Sequence, residues 1–210
     1  LGNYNDAYGY KAGISATGQR NIAIGSSAGV TVSGSNNIAV GLNAGQNVAV
    51  SNTISIGTSS TANATQAIAI GHNAQATGVQ SISIGTGNVV SGNNSGAFGD
   101  PSIISGANSF SVGNNNSIGA TQTDVFALGN NITATANNSV GLGSNTAMTT
   151  ALTTSSGGTT AVTSGTVGTI TYGSFAGSTP VGVVSVGSVG AERRLQNVAA
   201  GLIGINSTDG

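Results

Sequence analysis

Aliphatic side chains recur in pairs two residues apart along most of this chain, each pair enclosing one small residue and ending on glycine. The phrase reads Asn21-Ile22-Ala23-Ile24-Gly25, then Asn37-Ile38-Ala39-Val40-Gly41, Thr53-Ile54-Ser55-Ile56-Gly57, Ala67-Ile68-Ala69-Ile70-Gly71 and Ser81-Ile82-Ser83-Ile84-Gly85. Looser copies end at Gly9, Gly99, Gly113, Gly129 and Gly143, so the phrase returns every 14 or 16 residues. Strict alternation predicts a short β-strand at each phrase, and a fixed period predicts stacked repeats. Apolar or small residues also stand three and five positions after the glycine, as at Ala74 and Ala76, Asn88 and Val90, or Ile132 and Ala134. A coil of two short strands and two tight turns accounts for this spacing, with Gly and Asn supplying positive φ at the corners. Sixteen-residue coils are expected to carry a slightly longer turn. Ten such coils at about 4.8 Å make a rod roughly 45–50 Å long whose core is completed only by stacking.

Alternation divides each phrase between two faces. The Ile pairs are expected inside the coil. Ala7, Ala23, Ala39, Ser55, Ala69, Ser83, Ala97, Ser111, Ala127 and Gly141 are then expected outside. Uniform smallness on an outer face implies close approach of another surface, most simply a second copy of the chain, so a homo-oligomer is expected; the alternative is that Ala and Ser merely suit a tight roll.

The phrase stops after Gly143. From Thr146 to Thr171, 14 of 26 residues are Ser or Thr, yet the alternation through Val162 to Thr171 still predicts β-structure. Residues 146–182 are read as an insert lying against the end of the rod. The phrase reappears at Val184 to Gly187, and Glu192-Arg193-Arg194 then places three charges in a row in a chain that otherwise avoids them. Charge concentrated there points to charge-assisted contacts between chains. Glu192, Arg193, Arg194 and Asn197 are the candidate contact residues.

Composition removes several function classes. Lys and Arg number 4 and Asp and Glu 5 in 210 residues, or 4% charged, against about 25% in an ordinary domain. Counterion release from a polyanion needs clustered cations, so nucleic acid is not an expected partner. The regular beat of Ile and Val argues against disorder despite 35 glycines. Cysteine is absent, which rules out disulfides and thiolate metal sites and suits export in an unfolded state. No stretch has the roughly 18 apolar residues of a membrane-spanning helix. The abrupt start at Leu1-Gly2 is read as the beginning of a piece of a longer protein, whose membrane anchor and address lie outside it.

The repeats of Asn-x-Ala-Ile-Gly type, followed by Val184-Ser185-Val186-Gly187 and then Glu192-Arg193-Arg194-Leu195-Gln196-Asn197-Val198-Ala199-Ala200-Gly201, resemble the YadA-like head and neck of trimeric autotransporter adhesins. The resemblance implies an all-β, left-handed parallel β-roll solenoid with 14–16-residue coils, arranged as a side-by-side homotrimer, with a neck leading toward a coiled-coil stalk. On that reading residues 1–145 are head repeats, 146–182 the insert, 183–204 the neck, and 205–210 the start of the stalk or the end of the piece. Tyr172 to Gly177 is similar to insert modules of some members.

Among enzymes, left-handed β-helix acyltransferases are the nearest rival, with a histidine as general base between subunits. They repeat every 18 residues around a three-sided coil, and 14 does not fit; His72 follows a phrase glycine and reads as a turn histidine. Calcium-binding β-rolls need an Asp in every turn, glycan-cleaving β-helices need clustered carboxylates, and phosphate loops need a Lys in a Gly-rich turn. None of these patterns is present. Thr is not ranked at one coil position, which disfavours ice binding. The expectation is a non-enzymatic adhesive head without cofactor or metal, on the bacterial cell surface, that binds extracellular matrix, host cells, itself or abiotic surfaces; a spacer that projects another domain is the alternative.

Overall fold

A computed structural model describes residues 3–151, 157–173, 175 and 177–199. The chain winds as a parallel β-solenoid. Each phrase forms a three-residue strand, from Asp6–Tyr8 and Ile22–Ile24 through Phe126–Leu128 and Val140–Leu142, and these stack with Val184–Ser185 into an 11-stranded parallel sheet. The opposite wall is a 7-stranded parallel sheet of two-residue strands, Thr61–Ala62 to Ala147–Met148. Register is maintained rung by rung, with Ala23 on Ala39, Ala39 on Ser55, Ser55 on Ala69 and Ala69 on Ser83. No helix occurs among the described residues.

The alternation predicted from sequence is present, but its faces are reversed. Ala23, Ala39, Ser55, Ala69, Ser83, Ala97, Ser111 and Ala127 are buried inside the coil, and Gly141 with them, while Ile22, Ile24 and their equivalents point out. The cause is the flatness of the coil. A Cβ added to Gly45 would lie 2.8 Å from the Ala39 Cβ across the interior, so two walls this close admit only Ala, Ser or Gly between them. Width returns toward the C-terminal coils, where Val90, Ile104, Ile118, Ile132 and Met148 from the second wall fill the core. There Met148 occupies the room left by Gly141, its Cε only 2.9 Å from where a Cβ would stand. The positions three and five after each glycine, such as Ala74 and Ala76 or Ile132 and Ala134, are inward as the spacing implies.

The residue opening each phrase shares the inward parity of Ala and is often polar. Its side chain reaches the backbone of the next coil: the Asn21 Oδ1 accepts from the Asn37 N–H at 2.9 Å, and the Asn37 Oδ1 from the Thr53 N–H at 2.9 Å. The Asn37 Nδ2 donates in turn to the Val50 carbonyl at 2.9 Å. Ser95 and Ser109 repeat the device with the N–H groups of Ser109 and Val125. Backbone donors at the strand entrance lie outside the strand ladder, and leaving them dry and unpaired would cost a desolvation penalty in every coil. Among the described residues no buried side-chain N or O lacks a partner.

At the phrase end the chain turns on glycine with φ between 99° and 143°. These glycines stack in a column: a Cβ on Gly57 would lie 2.6 Å from the Gly71 carbonyl oxygen. The Gly113–Gly129 coil does lodge its two extra residues in a longer turn, where Gln122 N–H donates to the Gly119 carbonyl at 3.1 Å. The first three coils differ. Their extra residues replace the second strand by consecutive turns around Gly13, Gly29 and Gly45, which adopt φ of 62°, 59° and 58°.

Between Met148 and Val183 the chain leaves the stack. Ser164–Val167 and Ile170–Gly173 form an antiparallel hairpin, so the segment carries β-structure. The first residues of 146–182 stay in the stack, where Ala147–Met148 ends the seven-stranded sheet, while every residue of both hairpin strands is exposed and hydrogen bonds run between Val162 and Ser178 and between Asn138 and Val181. Val183 then returns to pack on the C-terminal core, its N–H donating to the Ser139 Oγ at 3.0 Å.

Candidate interaction face and neck

Turning the Ile pairs outward makes two apolar rows along the 11-stranded sheet. One runs Ile22, Ile38, Ile54, Ile68, Ile82, Gly96, Phe110, Phe126, Val140 and Val184; the other runs Ile24, Val40, Ile56, Ile70, Ile84, Phe98, Val112, Leu128 and Leu142. Ile24 is 44% exposed and Leu128 45%, although the small residue between each pair is buried. Neighbouring rungs half-cover one another, which lowers the exposure of each side chain without closing the face. Phe110 even folds back on its neighbour, its ring 2.8 Å from where a Gly96 Cβ would stand. Strands of parallel sheets are ordinarily covered on both faces, and a contiguous apolar face of this extent marks a contact surface. No Lys or Arg falls in either row, and of the acids only Asp6, at the first rung, does.

The sequence reading missed this face because it gave the larger side chains to the coil interior. The decisive signal was the parity that Ala23 shares with Asn21 and Ala39 with Asn37, since an Asn at the strand entrance has an inward task.

The neck residues lie together at the C-terminal end, beyond the last phrase. Arg193 Nη1 donates to the Val186 carbonyl at 2.8 Å and Nη2 to the Ser144 carbonyl at 2.6 Å, which binds the neck to the last coil of its own chain. The Glu192 carboxylate accepts from the Gly190 N–H at 2.9 Å; this bond and one from its own backbone hold its pKa below the usual carboxylate value. Arg194 and Asn197 are exposed, Asn197 with a φ of 58°. Arg193 and Glu192 thus take backbone partners from one chain. The neck is expected to extend to 204 and the start of the stalk to cover 205–210; positions from 200 onward lie outside the described residues.

His72 sits in an exposed turn. No group of three or more His, Asp or Glu side chains able to hold a metal occurs among the described residues.

No family model matches the chain, and no curated protein does. Among solved structures, the chain is similar to the C-terminal YadA-like domain of a Burkholderia pseudomallei protein, at 42% identity over 41% of this chain and 36% of that one, with a TM-score of 0.33. The chain therefore spans little more than a third of the length of the solved structure it matches.

Proposed function

We propose that the chain is the head of a trimeric autotransporter-type adhesin, assembled as a homotrimer on the bacterial cell surface and acting without catalysis. The observation that carries the reading is the pair of apolar rows on a chain with 4% charged residues. Such a face is costly to leave in water and beyond Asp6 at the first rung carries no charge to desolvate, so burial against an identical face relieves it in the rungs that follow. The number three comes from the resemblance of the phrase and neck to YadA-like heads. In that assembly Glu192, Arg194 and Asn197 face neighbouring subunits, on a backbone that Arg193 fixes. With the apolar rows buried, the second wall and the corners stay free, and they repeat one weakly charged surface many times over. Adhesion by such a surface is multivalent: weak contacts on equivalent coils add through effective concentration. The target is an extracellular matrix component, a host cell, another head or an abiotic surface.

Two measurements test this. Light scattering on the soluble chain is expected to give about three times the 20.0 kDa chain mass. Bead-coupled protein, presented to an array of matrix proteins and cells, is expected to retain a target far better than free protein and with mild salt dependence. A folded monomer defeats the trimer; a trimer that retains no target on any array leaves the spacer as the function. Acetyl transfer that disappears in His72→Ala would overturn the non-catalytic reading.

A further inference from the structure

The insert hairpin has two unlike faces. In its register Gly165 opposes Tyr172 and Val167 opposes Ile170, and these pairs share one side; Ser164 with Gly173 and Thr166 with Thr171 share the other, where the two Thr Oγ1 atoms lie 3.0 Å apart. The apolar side is bare, with Val167 73%, Ile170 57% and Tyr172 51% exposed. An isolated two-stranded hairpin is marginal in water and gains stability from a third layer against its apolar side. Among the described residues the rod that carries it does not supply that layer, since both strands are exposed along their whole length.

We infer that this apolar side packs on a neighbouring copy of the chain, along the rim of that copy's apolar rows at Leu128 and Leu142. Continuity of the surfaces carries the choice of occupant. The segment returns through Val183 directly into the Val184–Ser185 strand, the last rung of the sheet that bears the rows, so the hairpin is tethered at the edge of the face assigned to subunit contact. The stretch from Gly173 to Val183 can reach at most about 33–36 Å when extended, enough to cross to an adjacent rod and short of the rod's own length. Ser164 to Gly173 contains no Lys, Arg, Asp or Glu, and neither do the rows near Leu128 and Leu142; the Arg193 guanidinium over the adjacent Gly143 already donates to the Val186 and Ser144 carbonyls of its own chain. Contact between the hairpin and the rows therefore buries no charge of either. The inference rests on the homo-oligomer reading and adds that the insert clasps the adjacent subunit.

The test uses the full chain in two labelled forms, one with protonated methyl groups on a deuterated background and one with protonated aromatic rings, mixed, unfolded and refolded together. Light scattering first establishes the assembly. Isotope-filtered NOE spectra are then expected to show contacts from the Tyr172 ring of one chain to Leu128 or Leu142 methyl groups of another, and the hairpin amides to exchange about tenfold or more slowly than the same hairpin in Val167→Thr/Ile170→Thr, whose β-branched residues keep strand propensity. An intact assembly with only intrachain contacts, or with hairpin amides that exchange at the free rate, overturns the clasp and leaves the assembly standing. A monomer overturns both.

Discussion

The guanidinium of Arg193 lies over Gly143, the last glycine of the stacked column, so that a Cβ on that glycine would meet Cζ at 2.8 Å. In every earlier coil the corresponding space is taken by the glycine of the next coil. Arg193 ends the column with a flat group that also donates to the carbonyls of Ser144 and Val186. A solenoid needs such a terminus, and here only the two-residue Val184–Ser185 strand continues the sheet beyond Val140–Leu142.

Arg193→Ala is accordingly expected to destabilise the C-terminal coils by about 1–2 kcal/mol, the scale of losing charged hydrogen bonds at a partly solvated site. Arg193→Lys should recover only part, since an ammonium cannot make the same planar fork. Hydrogen exchange at Val140 to Met148 reads the effect locally; unchanged protection in both variants would place the cap elsewhere.

The two parities of one strand should respond differently to the same substitution. Ala69→Asp puts a charge into the coil interior and should cost several kcal/mol in the fold of the single chain. Ile70→Asp, on the outward row, should leave the secondary structure intact while lowering the molecular mass toward that of one chain. Circular dichroism and light scattering on both proteins separate the two effects.

Asn37 satisfies the Thr53 N–H and hydroxyl and the Val50 carbonyl together. Asn37→Ala leaves buried polar groups unpaired and is expected to cost about 2–3 kcal/mol, whereas Gln19→Ala, at an exposed position of ordinary φ, should stay within about 0.5 kcal/mol. Equal denaturation midpoints for the two would remove the inner ladder from the stabilising interactions.

Gly57→Ala forces a Cβ toward the Gly71 carbonyl at a φ of 118°, so the expected outcome is loss of the cooperative transition or a fall of several kcal/mol. Gly165→Ala, in the hairpin with nothing within 4 Å, should be tolerated. Thermal melts of both variants check the contrast.

Acid sensitivity of the neck turn follows from Glu192. Its folded pKa is lowered, first by the Gly190 N–H, so its contribution is present above the unfolded value and fades as pH falls through the folded one, below 4.5. Glu192→Gln should remove that pH dependence from the Ser188–Ala191 turn, as followed by amide chemical shifts at Gly190. A turn that shifts identically in both proteins would assign the change to another group.

The period, the strand at each phrase and the glycine corners were legible in the sequence, because they depend on neighbours two residues or one coil away. Ile68, Ala69 and Ile70 alternate whatever surrounds them, and Gly71 ends the strand for reasons local to its backbone. The scarcity of charge was legible there too, and with it the absence of any Lys or Arg from the two apolar rows. Which parity faced inward was decided only in three dimensions, by the distance between the two walls of the coil: with Ala39 and Gly45 nearly touching, there is no room for Ile, and the larger side chains must go outside. The same holds for Arg193, whose spacing of 49 residues from Ser144 has no counterpart in any local pattern. Side-chain size and alternation are properties of the chain, but the volume available to them is a property of how far apart the folded backbone sets its walls.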